Sequence, residues 1–337
     1  MARSSLPLAM TMGDPAGVGP LITRQAWQAM RDQPGTCFYV IGPPELYARS
    51  GEIAVIDAPS DAAARFGDAL PVVPLERMGL TFEPGHPEIA AAGLITQSID
   101  VATSHVMAGR AGAVVTNPIA KALLYEAGFP HPGHTEFLAA LCAGEGPPPR
   151  PVMMLVGGGL RVALATIHLP LRAAIDAIDE ALLAETAKIV DAALKRDFAI
   201  AAPRLVFTGL NPHAGEDGRL GREEIEIINP AAAALRASGY AVADARPADT
   251  VFAEALEGRF DAVIAMTHDQ GLIPVKTLDL WNGVNVTLGL PIIRTSPDHG
   301  TGYDTAARGE ARADSLIAAV QLARECVANR FRASRAA

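Results

Sequence analysis

Short runs of apolar, strand-forming residues recur along this chain, and longer stretches with helical spacing separate them. "LPLAMTM" (6–12), "CFYVIG" (37–42), "IAVIDA" (53–58) and "AGAVVT" (111–116) show no regular polar alternation, so each is expected as a strand buried on both faces. Stretches 19–34 and 93–110 have the spacing of helices. The second half repeats the rhythm: "RVALATIH" (161–168), a helix over about 175–196, "RLVFTGLNPH" (204–213), a helix over about 222–238, then "DAVIAMTH" (261–268). Alternation of this kind selects a parallel or mixed α/β architecture. The 337 residues suffice for about two domains at roughly 150 residues each. The sharpest break in composition is "LCAGEGPPPRPV" (141–152), which reads as a linker or as a surface loop within one domain. Residues 313–335 read as a helix with a frayed basic tail.

Half of the residues are hydrophobic and 19% are charged, so a large core is available and disorder is not expected. The net charge of -9 argues against a nucleic-acid partner, because phosphate backbones are bound mainly by Lys and Arg. Cys37, Cys142 and Cys326 are odd in number and far apart, which suits a reducing cytoplasm. "MARSSLPLAMTMGDPAG" reads as a first strand rather than a secretion signal. No apolar segment approaches the roughly 20 residues needed to cross a bilayer, so a cytoplasmic protein without a membrane partner is expected.

Three of the expected strand segments end on a histidine: His168, His213 and His268. In an open α/β sheet, ligands bind outside the carboxyl ends of the strands. Were these strands neighbours, three imidazoles would converge, which is a common way to hold a catalytic divalent metal. The plainer reading of each is a hydrogen-bonded loop residue. Asp269 follows His268 directly, as a ligand, an orienting partner, a proton-transfer group or simply a helix N-cap.

Farther on, Lys276, Asn285 and Arg294 recur at intervals of nine in an otherwise apolar region. A buried cation needs a partner, so Lys276 and Arg294 are expected to meet a structural carboxylate or an anionic ligand. "PGHTEFLAAL" places His134 and Thr135 before a helical pattern, as an N-cap or as an anion or hydroxyl site. "GDPAGVGP" (13–20) matches neither the dinucleotide fingerprint nor the P-loop and reads as a tight strand-to-helix turn. "DHGTGYD" (298–304) is a second glycine-bearing loop, a weak signal by spacing alone. The residues themselves lead to an α/β enzyme with a three-histidine metal and a small anionic substrate, the reaction type left open.

These motifs resemble the 4-hydroxythreonine-4-phosphate dehydrogenase family. The resemblance runs nearly end to end through "MTMGDPAGVGP", "VTNPIAKALL", "GHTEFLA", "RVALATIHLPL", "GLNPHAGEDG", "PADT", "HDQGLIPVKTL" and "GVNVTLGLPIIRTSPDHGT". It implies a two-domain fold like isocitrate and isopropylmalate dehydrogenases, with a cleft between domains. The first domain is then 1–130 plus 300–337, and the second, carrying ligands and dimer contacts, is 131–299. The resemblance implies metal ligands at His168, His213 and His268, and substrate contacts at His134, Thr135, Lys276, Asn285 and Arg294. Asp249 and Asp269 match acidic positions, and Gly300, Thr301 and Asp304 lie in the counterpart of the nicotinamide-cofactor loop. It further implies a homodimer whose site draws on both chains.

The implied reaction is NAD- or NADP- and metal-dependent (zinc, magnesium or cobalt). It oxidises 4-phosphooxy-L-threonine to a β-keto acid, which decarboxylates to 3-amino-2-oxopropyl phosphate in pyridoxal 5'-phosphate biosynthesis. The resemblance also extends to relatives acting on phosphorylated sugar acids or cis-dihydrodiols. Two departures stand out: Leu21 where the family usually has glutamate, and Thr267 where an aromatic is common.

Overall fold

The computed structural model describes residues 6–48, 51–76 and 79–336. Residues 1–5 of the segment read above as a first strand, and 49–50, 77–78 and 337 of the expected first domain, lie outside them. From the N-terminus run β1 (Leu8–Thr11), α1 (Gly19–Met30), β2 (Phe38–Gly42), α2 (Glu45–Ala48), β3 (Ile53–Val55), α3 (Ala62–Arg65), β4 (Leu70–Pro74), α4 (Ala92–Met107), β5 (Val114–Val115), α5 (Lys121–Glu126) and α6 (His134–Leu141). Next come β6 (Val152–Gly157), β7 (Leu160–Leu164), α7 (Leu171–Asp176), α8 (Glu180–Asp197), β8 (Arg204–Thr208), α9 (Asn229–Ala237), β9 (Ala241–Arg246), α10 (Val251–Leu256), β10 (Ala262–Ala265), α11 (His268–Leu278) and β11 (Val284–Leu288). The chain ends with β12 (Arg294–Pro297), α12 (Tyr303–Arg308) and α13 (Asp314–Ala336).

The chain divides into two units, Met1–Pro151 with Leu290–Arg335, and Val152–Gly289. The proline-rich stretch 141–152 ends at this division. Residues 131–151 and 290–299, grouped by the sequence reading with the second domain, cluster with the first unit. The reason is burial: Leu138, Ala139, Leu290 and Ile292 join the core formed by Tyr39, Ile41, Ile95 and Ile99.

In the first unit the strands run β3-β4-β2-β1-β5-β12, and each described pairing is parallel. β1, β2 and β5 are buried throughout, as expected for strands covered by helices on both faces. β3 departs from that expectation. It is the edge strand, and Val55 is 56% exposed.

The second unit has the order β11-β6-β7-β10-β8-β9. β6 pairs antiparallel with β11 and with β7, whereas β7, β10, β8 and β9 pair in parallel. Leu155, Val162, Val206, Val263 and Val275 form its core. α8 shows why its sequence is helical: Asp179 accepts a hydrogen bond from the Leu182 N–H at 2.7 Å as N-cap, and Lys195 and Arg196 face the negative end of the helix dipole. The helix expected over 222–238 is not continuous. Residues Glu224–Ile228 form a π-turn before α9, and Pro230, in the first turn of α9, has no N–H to continue the α-helical ladder. Among the described residues, no helix is long and apolar enough to cross a membrane.

Candidate functional site

The strands that precede the three histidines are adjacent and parallel. β10 lies between β7 and β8, in the registers Val263↔Val162 and Val263↔Val206. Their carboxyl ends therefore share one sheet edge, and the chain leaves that edge toward His168, His268 and His213. The strands stop sooner than expected, at Leu164, Ala265 and Thr208, so all three histidines sit beyond the ladder.

The β10 end is fixed by hydrogen bonds from both neighbours. The Thr166 hydroxyl donates to the Met266 carbonyl at 2.7 Å, and the Met266 N–H donates to the Thr208 hydroxyl at 3.1 Å. Thr267 is the N-cap of α11, with a capping box closed by Gln270; the Thr267 N–H donates to Gln270 Oε1 at 3.2 Å. Asp269 is thus not the cap. Gln270 Nε2 also donates to the Gly209 carbonyl at 3.0 Å, which ties the His268 strand to the His213 strand. Gly271 allows α11 to lie close on the sheet, since a Cβ there would stand 2.4 Å from Leu164 Cδ2.

His168 and His268 come together, with ring centroids 5.8 Å apart. Zn–N bonds of about 2.0–2.1 Å put the centroids of two imidazoles on one ion about 5–6 Å apart, so this pair fits a shared divalent cation. Asp269 Oδ1 lies 2.8 Å from His268 Nδ1. A carboxylate accepting the Nδ1 proton leaves Nε2 as the lone-pair donor, the usual arrangement behind a metal-bound histidine. Both histidines line a cavity of about 740 Å³ together with Thr166, Asn211, Glu223 and Asp269.

His213 takes a different route. It is exposed, and it opens a run in which His213, Ala214, Gly215, Glu216 and Asp217 all have left-handed backbone angles, with φ from 44° to 82°. Each non-glycine residue in that region is disfavoured by about 1–2 kcal/mol, so surrounding contacts must enforce the turn. His168 also has a positive φ, of 51°. Among the described residues of one chain, no group of three or more His, Cys, Asp or Glu side chains is assembled for a metal ion. Asp249 is exposed in the turn before α10, and Lys276 is half-buried in the last turn of α11. Asn285, on β11, has a buried Oδ1 without a hydrogen-bond partner.

In the first unit, His134 begins α6, whose N-cap is Gly133; Thr135 lies inside the helix and is not its cap. His134 Nε2 is buried without a hydrogen-bond partner. Burial lowers the His134 pKa well below the usual imidazole value, and the positive charges of Arg294 and Lys121 lower it further. Arg294 is itself buried at the start of β12, where its Nε and Nη2 donate to the Thr116 hydroxyl at 3.1 and 2.7 Å. Burial brings its pKa down to about 10. A neutral imidazole beside two cations is suited to a phosphate or carboxylate. Lys121 was not singled out in the sequence, although it stands in the quoted "VTNPIAKALL".

The two glycine-bearing loops meet in the same unit. Val18 N–H donates to the Thr301 carbonyl at 2.8 Å, and the Tyr303 hydroxyl donates to Asp14 Oδ2 at 2.6 Å. Asp14 is buried, and its other oxygen accepts the Ala16 N–H at 3.0 Å. Burial, then the Asp14 contact, pushes the Tyr303 pKa upward. Thr301 is half-buried, and Gly300 and Asp304 are exposed. A cavity of about 260 Å³ nearby is lined by Gly17, Leu21, Glu45, Phe82, Ala306 and Gly309, so the Leu21 departure falls on its wall.

Residues 37–323 match the model of the family described as pyridoxal phosphate biosynthetic protein PdxA. A 4-hydroxythreonine-4-phosphate dehydrogenase of Methylorubrum populi is 50% identical over 331 residues, covering 96% of this chain and 95% of that protein. The crystal structure of a 4-hydroxythreonine-4-phosphate dehydrogenase from Klebsiella pneumoniae superposes with a TM-score of 0.84 at 36% identity, covering 95% of this chain and 99% of that one. Isocitrate dehydrogenase from Methylococcus capsulatus is 14% identical with a TM-score of 0.50, covering 98% of this chain and 88% of that one, a likeness of fold alone. With this α/β fold, and with matches to family and relatives over nearly the whole chain, the chain belongs to the pyridoxal phosphate biosynthetic protein PdxA family.

Proposed function

We propose that this protein is a cytoplasmic, homodimeric dehydrogenase that oxidises 4-phosphooxy-L-threonine with NAD (or NADP) and one divalent metal ion per site. Hydride leaves the carbon bearing the secondary hydroxyl, the hydroxyl proton is released, and the resulting β-keto acid loses carbon dioxide to give 3-amino-2-oxopropyl phosphate. The observation that carries this reading is the β7-β10-β8 arrangement, in which three adjacent parallel strands direct His168, His268 and His213 from one sheet edge.

The chemistry supplied by the bound groups is hydride acceptance by the nicotinamide and Lewis acidity from the ion, zinc, magnesium or cobalt. His168, His213 and His268 hold the ion, and Asp269 orients His268 through Nδ1. His134, Thr135, Lys276, Asn285 and Arg294 hold the substrate's phosphate and carboxylate, with Lys121 adding positive charge beside His134. Fixing both ends of the substrate places its hydroxyl carbon for hydride loss. Asp249 or Asp269 accepts the hydroxyl proton. Gly300, Thr301 and Asp304 contact the dinucleotide.

The test is a substrate panel with purified protein, divalent metal and either nicotinamide cofactor, followed by absorbance of the reduced cofactor. The largest kcat/KM is expected for 4-phosphooxy-L-threonine, ahead of a phosphorylated sugar acid of the 4-phosphothreonate or erythronate type and a cis-dihydrodiol. The cationic surroundings of His134 favour the phosphorylated compounds. Absence of cofactor reduction by folded, metal-loaded protein would refute the reading.

A further inference from the structure

We propose that Glu224 is a positioning residue that holds His213 in the orientation needed for metal binding. This rests on the reading of His213 as a ligand and extends it to the part of the chain that sets its geometry. Glu224 is 1% exposed, and its hydrogen bonds come from the loop that carries the histidine. Its Oε1 accepts the backbone N–H groups of Leu210 and Asn211 at 2.8 and 2.7 Å. Its Oε2 accepts Asn211 Nδ2 at 3.0 Å, and the same amide donates to Glu223 Oε2 at 2.6 Å.

These bonds hold the two residues before Pro212-His213, where the backbone turns from extended at Asn211 into left-handed at His213. The carboxylate also reaches the far side of the turn. A Cβ on Gly215, whose φ is +82°, would stand 2.7 Å from Glu224 Oε2 and 2.9 Å from the Gly221 carbonyl. Only a residue without a side chain leaves room for the carboxylate there. Glu224 thus grips the left-handed run at its start and packs against its middle. The run is otherwise disfavoured, so its shape depends on such contacts. An anionic acceptor is suited to three N–H donors at once, and an amide in its place would present a donor to a donor at one oxygen position.

The experiment uses the full-length protein stripped of metal and titrated with cobalt(II), reading both affinity and the visible absorption spectrum. Wild type, Glu224→Gln, His213→Ala and the double variant are compared. Glu224→Gln is expected to weaken cobalt binding about 10- to 100-fold, the range for residues that orient a metal ligand. The same change in the His213→Ala background is expected to add nothing. Retention of wild-type affinity and spectrum by Glu224→Gln would overturn the proposal, and so would an equal loss with and without His213, which marks general destabilisation. Unchanged cobalt affinity in His213→Ala would instead refute the ligand reading, and the proposal with it. Should Glu224→Gln fail to fold by circular dichroism, Asn211→Ala serves in its place. It removes the Nδ2 bonds to Glu224 and Glu223 and keeps the two backbone N–H bonds to Glu224, with a smaller loss of affinity expected, again only where His213 is present.

Discussion

Arg294 shows how much of the site's chemistry rests on single buried groups. Its guanidinium lies inside the protein against the Thr116 hydroxyl, and burial already weakens its hold on its proton. As one of the proposed substrate contacts, its planar guanidinium donates charged hydrogen bonds to a phosphate or carboxylate oxygen. Arg294→Gln is therefore expected to raise KM for the phosphorylated substrate about 10- to 100-fold, as for a charged hydrogen bond contributing about 1.5–3 kcal/mol. Steady-state kinetics with saturating cofactor measures this directly. His134 makes a separate prediction in pH. Its folded pKa is depressed, so below the unfolded value of about 6.5 the unfolded chain takes up a proton that the folded chain refuses. Stability is then full above that pH and falls as the pH drops through it, by up to about 1.4 kcal/mol per pH unit for this residue. Urea midpoints from pH 7 to 5 should decline less steeply in His134→Gln; His105, also depressed by burial, keeps part of the slope.

At the scale of elements, the ends of β7, β10 and β8 work as one framework, with Thr267 and Gln270 as its fasteners. Thr267 caps α11 through its side chain. Thr267→Val keeps the shape and removes that acceptor. A loss of about 1 kcal/mol is expected from the cap alone, measurable by chemical denaturation. The framework itself was legible, because buried parallel strands read as continuous apolar runs and their carboxyl ends were marked by histidines. Other elements were not. β4 contains Pro71 and Pro74, which hide a strand from any apolar-run criterion, and β11 and β12 lie in a stretch read for its charges. The role of Glu224 was hidden by its charge, although it shares a helical stripe with Ile228, Ala231 and Leu235, all buried. A carboxylate on an apolar stripe is the signal that could have exposed it. Nothing in residue types announces six successive residues with positive φ, His213 to Gly218, when only two of them are glycine.

At the scale of the whole molecule, the ligand set poses a question of assembly. Two imidazoles meet in one chain at 5.8 Å between centroids, but no group of three or more such ligands is assembled among the described residues. In the proposed homodimer the missing donor comes from the second copy, and subunit mixing tests this with inactive parents. His213→Ala and His268→Ala proteins are each expected to be inactive. When the two are unfolded together and refolded at equal concentration, about half of the dimers contain one of each chain. A site that draws His213 and His268 from different chains is then whole once per mixed dimer, because each chain supplies the histidine that the other lacks. Recovery of about a quarter of wild-type activity is expected on that statistics. Parallel mixtures with His168→Ala identify which ligand crosses the interface: the combination that fails to recover names the two histidines supplied by the same chain. If none of the three pairwise mixtures recovers activity although each refolded sample is dimeric, the ligands come from a single chain, and the turn at His213 must then move to complete the set.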